Sequence, residues 1–116
     1  MRCMPKILLY QPRCVFYTMP LALIAVGSGL RKLGIDPIIV DGRLVEDPKS
    51  AISGHLEGCL CLGVSVLTGG DIRDAIEIGR HAKALRPDIP VVWGGWHPSL
   101  FPREVLKEEP SVDVVV

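Results

Sequence analysis

The chain lacks any excess of charge. Its 13 Lys and Arg residues balance 13 Asp and Glu, giving a formal net charge of zero across 116 residues. No basic patch marks a nucleic-acid partner, and no charge run marks a solvated tail. Apolar runs long enough for a membrane span, roughly 18–20 residues, are also missing. The opening MRCMPKILLY has no long apolar core of a secretory leader. These absences lead to the expectation of a cytoplasmic globular domain without nucleic-acid or membrane partners. Length and a hydrophobic fraction of 48% suffice for one domain with a real core.

Metal and nucleotide signatures are missing too. The four cysteines form no CxxC pair, so there is no zinc pattern. No CxxxCxxC occurs, so this chain alone cannot hold an iron–sulfur cluster of that type. Cys59 and Cys61 alternate in an apolar run, which predicts that they share one strand face as small core residues. No GxxxxGK[ST] phosphate loop is present. Gly27-Ser28-Gly29 followed by Gly34 is a failed dinucleotide fingerprint, because its third glycine is misplaced. These glycines read instead as close-packing positions in or near a helix, each costing up to ~1 kcal/mol of helix propensity.

Apolar strands alternate with helices. Strands are predicted at residues 6–10, 37–41, 59–66, 90–93 and 112–116. Helices are predicted at 21–33, 47–56, 71–85 and 102–107. Asp47 and Pro48 supply the N-cap and first position of the second helix. In residues 71–85 an apolar stripe opposes a charged face. Such alternation gives an α/β fold with a parallel sheet and helices on both faces, and a flavodoxin-like (Rossmann-like) five-stranded order 2-1-3-4-5 is expected over a Rossmann half. VDVVV ends the chain without the last helix that would cover it, so residues 1–116 are expected to be one domain, the N-terminal piece of a larger protein.

In this fold ligands bind at the carboxyl ends of the strands. The first strand leads into the long apolar loop QPRCVFYTMP. The second ends in Asp41-Gly42, the third in Ser65-Val66-Leu67-Thr68-Gly69-Gly70, and the fourth in Gly94-Gly95-Trp96-His97-Pro98. Gly94-Gly95 invites backbone contact with a ligand, since one glycine suffices for a turn. Thr68 and Asp71 compete to cap the following helix, whereas Ser65 lies too early and keeps its hydroxyl for a ligand.

Ser65-Val66-Leu67 and Gly94-Gly95 resemble the SxL and GG elements of cobalamin (vitamin B12) binding domains. MPLAL (19–23), Asp41, CLGVSVLTGG (61–70), VVWGGWHPSLFPREVL (91–106) and VDVVV (112–116), in this order, resemble the N-terminal domain of B12-dependent radical SAM enzymes. Those include methyltransferases and the magnesium-protoporphyrin IX monomethyl ester cyclase. The resemblance implies base-off cobalamin binding, with the nucleotide tail threaded past Ser65, Leu67, Gly94 and Gly95 and with Val66 and Thr68 as further cofactor contacts. It also implies a C-terminal radical SAM domain of the parent protein as partner, carrying S-adenosylmethionine and a 4Fe-4S cluster. The fragment alone is then no enzyme, and its parent is a methyltransferase or an oxidative cyclase.

The chain departs from the DxHxxG of base-off/His-on members. Its first loop has neither His nor Asp, so that lower cobalt ligand is missing. Arg13, Cys14, Phe16 and Tyr17 are expected under or beside the corrin, and Asp41 near the nucleotide loop. Trp96 flanks the tail or the next domain. His97 follows the fourth strand, so the ligand role does not transfer to it, although it stays a candidate cofactor contact. The competing reading is a cofactor-free flavodoxin-like signalling or interaction domain. Against it, the first strand ends without the acidic cluster of receiver domains. A flavin site would want a phosphate-cradling loop there, which QPRCVFYTMP is not.

Overall fold

The computed structural model describes residues 4–13 and 19–116. Five parallel strands, β1 (Lys6–Gln11), β2 (Asp36–Asp41), β3 (Cys59–Ser65), β4 (Val91–Gly94) and β5 (Val114–Val115), form one sheet of order β2-β1-β3-β4-β5. The helices are α1 (Leu21–Lys32), α2 (Pro48–His55), α3 (Gly70–Leu85), α4 (Trp96–Leu100) and α5 (Pro102–Glu108). The expected fold and strand order are therefore observed. None of the helices among the described residues is long and apolar enough to cross a membrane.

Local chemistry explains most boundaries. Asp47 caps α2, accepting from the Lys49 and Ser50 amides, and Pro48 opens the helix. Pro90 has no N–H to donate, so β4 begins one residue later than expected, although the Pro90 carbonyl accepts from Leu62. The short helix α4 was not foreseen, because Pro98 reads as a breaker. It falls in the first turn, where backbone N–H groups have no helical partner to lose. α3 begins without a side-chain cap. Neither expected candidate fills that role: Asp71 accepts from the Leu67 amide, and Thr68 turns to His97.

The sheet's two faces are unequal. Leu8, Tyr10, Leu62, Val64, Val91 and Trp93 enter the main core with Ile52 and Leu56 of α2, Ala75, Ile78 and Ala82 of α3, and Val105 of α5. The alternate strand residues face α1, which lies chiefly against β2. Among the large apolar residues of α1 only Leu23 is buried, and Leu21, Ile24 and Val26 are exposed. Gly27 does pack as a close-approach residue: a Cβ there would sit 3.3 Å from Pro37 Cβ. The glycine reading holds for Gly27 but not for Gly29, where a Cβ would meet nothing.

One expected pairing fails. Lys6 pairs with Cys59 but Leu8 with Leu62, so β3 carries an extra residue and its alternation breaks. Cys59 joins the core, while Cys61 stays half-buried outside it. Burial pushes both thiols up, away from thiolate reactivity.

The far edge of the sheet is pinned by acids. Asp113 accepts from the Val91 amide at 2.8 Å and from Lys83 at 2.6 Å. Buried Glu109 accepts from Arg80 at 2.7 and 3.1 Å and from the Ser111 hydroxyl. Burial alone would raise the Glu109 carboxyl, but the hydrogen bonds from Arg80 and Ser111 and the Arg80 charge outweigh it and hold the group low. A carboxyl lower folded than unfolded stabilises above its ordinary value, about 4.5 here, and loses that contribution as pH falls through the folded value. Urea midpoints should therefore drop from pH 7 to pH 3, and Glu109→Gln should lower the pH 7 midpoint and shrink the drop. An equal drop in both proteins would contradict this assignment.

Candidate functional site

The carboxyl ends of β1, β3 and β4 meet α1 at a continuous depression. Its outer part is a cavity of about 490 Å³ with Gln11, Pro20, Ser65, Leu67, Gly95 and Trp96 in its wall. Its inner part is a narrower slot of about 200 Å³ between α1 and the sheet. Leu9, Gly63, Val92 and Gly94 form the slot's sheet wall, and Leu23 and Val26 its helix wall. Ala22, Ser65 and Gly95 border both spaces, so the slot and the cavity adjoin there. The slot lining is almost wholly apolar. Empty cavities of about 150 Å³ lined in this way take a benzene ring.

The two glycines divide the work differently from the expectation. Gly95 turns the chain, with φ of 105°, and a Cβ there would lie 2.9 Å from the Val66 carbonyl oxygen. The backbone itself requires glycine at this position. Gly94 is the open one: a Cβ on it would meet nothing within 4 Å. Ser65 stands beside them, its Oγ 3.5 Å from the place of a Gly95 Cβ. Among the described residues no hydrogen bond is made by the Ser65 hydroxyl, which leaves it for a ligand.

The remaining expected residues scatter. Leu67 and Trp96 are exposed along the outer cavity, Trp96 at 71%. Val66 is fully buried in the core and lines neither part of the site. Thr68 hydrogen-bonds His97 Nδ1 at 3.3 Å. His97 stacks obliquely on Phe101, at 5.5 Å, and borders a different depression between α3 and α5. Asp41 is buried in a two-pronged pair with Arg43 at 3.0 Å and borders neither part of the site. Burial raises that carboxyl, but Arg43's hydrogen bonds and charge win and lower it.

Cys14, Phe16 and Tyr17 lie outside the described residues. Arg13, next to them, reaches toward the Val45 carbonyl on the α2 side, and its amide donates to Asp74 at 2.6 Å. Asp74 also accepts from Tyr10 at 2.6 Å, so α3 holds the start of this loop on the side away from the slot. Burial and the Asp74 carboxylate drive the Tyr10 phenol far above its ordinary value.

Sequence reasoning missed Gln11 and the apolar walls. Alternation did carry the signal for the walls. Leu9, Gly63 and Val92 are the strand residues out of phase with the core set. Trp93 is buried in the core, and its Nε1 has no partner among the described residues.

These roles separate by substitution. Gly95→Ala should cost about 2 kcal/mol of stability, the scale of an enforced positive φ plus a backbone clash. Gly94→Ala should leave the denaturation midpoint nearly unchanged while narrowing the slot. Equal losses in urea unfolding would contradict this division.

The sequence profile of the B12 binding domain matches residues 14–116. No curated protein matches the chain. Among solved structures, the radical S-adenosylmethionine methyltransferase TsrM from Kitasatospora setae, determined with cobalamin and a [4Fe-4S] cluster, superposes with a TM-score of 0.79 at 22% identity. That match covers 93% of this chain but 21% of TsrM. A cobalamin-binding protein from Desulfitobacterium hafniense DCB-2 superposes with a TM-score of 0.69 at 16% identity, covering 97% of this chain and 52% of that one. A response regulator receiver domain protein from Clostridium thermocellum gives 0.66 at 12%, covering 97% and 80%. At such identities these structural likenesses concern the fold. The profile match spans most of the chain, and on it the chain belongs to the B12-binding domain family.

Proposed function

We propose that this domain binds cobalamin base-off, without a histidine beneath the cobalt, as the cobalamin module of a larger radical SAM enzyme. One observation carries the reading. An apolar slot of about 200 Å³ adjoins a wider cavity at the strand ends and shares Ala22, Ser65 and Gly95 with it. The wider cavity receives the corrin and the slot receives the dimethylbenzimidazole of the nucleotide tail.

The residues present fit that group. Gly94 leaves room against the sheet, Leu9 and Val92 supply apolar contact, and the Ser65 hydroxyl stands at the junction. Leu67 and Trp96 cover the rim, and shielding of ring surface from water is their contribution. Gly95 and the buried Val66 act by holding the strand ends together. Bound cobalamin supplies a redox-active cobalt centre for group transfer, and axial contacts are the lever by which a protein tunes such a centre.

S-adenosylmethionine and the 4Fe-4S cluster belong in this reading to a radical SAM domain of the parent protein. CxxxCxxC does not occur in these 116 residues. The fold likeness to TsrM, whose structure carries cobalamin and a [4Fe-4S] cluster, supports that arrangement. Methyl transfer and porphyrin ring cyclisation are both compatible with it. The receiver likeness is a likeness of fold: β1 ends in Gln11, with no acidic cluster there.

Hydroxocobalamin mixed with the protein and passed through gel filtration should elute with it, detected by corrin absorbance. Gly94→Val and Ser65→Leu should each reduce retained corrin at least about tenfold, equivalent to ~1.4 kcal/mol of binding. Unfolding midpoints near wild type would show that the slot was blocked rather than the fold lost. Undiminished binding by both variants would contradict the assignment of the slot.

A further inference from the structure

Gln11 carries a buried carboxamide that makes no hydrogen bond among the described residues. It ends the central strand β1, is only 8% exposed, and borders the outer cavity. Its backbone is engaged, the carbonyl accepting from the Gly42 amide at 2.8 Å. Among the described residues its side-chain carboxamide has no hydrogen-bond partner. Nor is that carboxamide sealed in: the single sealed side-chain polar atom without a partner among those residues is Trp93 Nε1. The Gln11 amide therefore keeps access to open space, and the open space it borders is the cavity. Open to the cavity, the carboxamide is available to a ligand's polar group or to a held water.

The geometry of the depression says which part of the ligand that is. The nucleotide tail of cobalamin departs from the lower face of the corrin. The slot assigned to the tail meets the cavity at Ala22, Ser65 and Gly95. The lower face would then be turned toward that junction. Gln11 lines the cavity beside it, on the strand next to Ser65, with Pro20, Leu21 and Leu67 in the same wall.

Resting on the proposed function, we infer that Gln11 is the positioning residue for the lower cobalt face. It presents a neutral oxygen donor beneath the metal, either its own carboxamide oxygen or a water that the carboxamide holds. The metal then sees a weak neutral donor where a histidine would give a strong nitrogen ligand.

The test is EPR of the protein loaded with cob(II)alamin. Wild type should give a base-off spectrum without nitrogen splitting and with an oxygen donor below. Broadening in 17O-enriched water identifies the donor as a held water, and no broadening identifies the carboxamide. Gln11→Met, which keeps the volume, should shift the signal to that of four-coordinate cob(II)alamin. Gln11→His should introduce nitrogen splitting, a gain that a merely structural residue would not produce. A loaded Gln11→Met protein with the wild-type spectrum overturns the inference. If Gln11→Met does not load, Gln11→His decides: splitting supports the role, and its absence overturns it. Failure of wild type to take up the corrinoid counts instead against the proposed function.

Discussion

The structure of the site depends on one backbone lock between the ends of β3 and β4. The Val66 amide donates to the Gly94 carbonyl at 2.8 Å, and the Val66 carbonyl accepts from the His97 amide at 3.1 Å. These two bonds straddle Gly95, whose positive φ and missing Cβ let the chain pass that close. The lock sets Ser65 beside the glycine pair and starts α4, which carries Trp96 to the rim. Val66 fastens it from the other side, since its side chain is fully buried against the main core.

The unequal faces of the sheet make room for a ligand. One face is closed by α2, α3 and α5 over bulky residues such as Trp93, Tyr10 and Leu62. The other carries Gly63, Ser65 and Gly94 in the same region, next to α1. Small residues there leave volume that protein atoms do not fill. Stability thus rests mainly on one layer of packing, and the second layer is released for binding. The Asp74 contacts to Tyr10 and Arg13 extend this division by tying the first loop's start to the packed side.

Much of this was legible in the sequence. Alternating apolar strands and helices gave the sheet order, and Asp47-Pro48 marked a helix start through local chemistry alone. Ser65, Leu67, Gly94 and Trp96, selected for their place after strands, do converge on one depression. What stayed hidden depends on three-dimensional register. The extra residue in β3 separates Cys59 from Cys61, and no residue type signals it. The roles of Gly94 and Gly95 are set by a backbone approach between distant strands. Asp41's engagement with Arg43 depends on a turn that brings a cation back onto its own carboxylate. Gln11 escaped notice because a glutamine ending an apolar strand is unremarkable until its burial and lack of partners are known.

The central claim is that the slot between α1 and the sheet takes the nucleotide tail. The most direct measurement compares the affinity of the protein for cobalamin and for cobinamide, a corrinoid without that tail. The account predicts that cobinamide binds at least about tenfold more weakly, a difference of ~1.4 kcal/mol. Equal affinities for the two would contradict it.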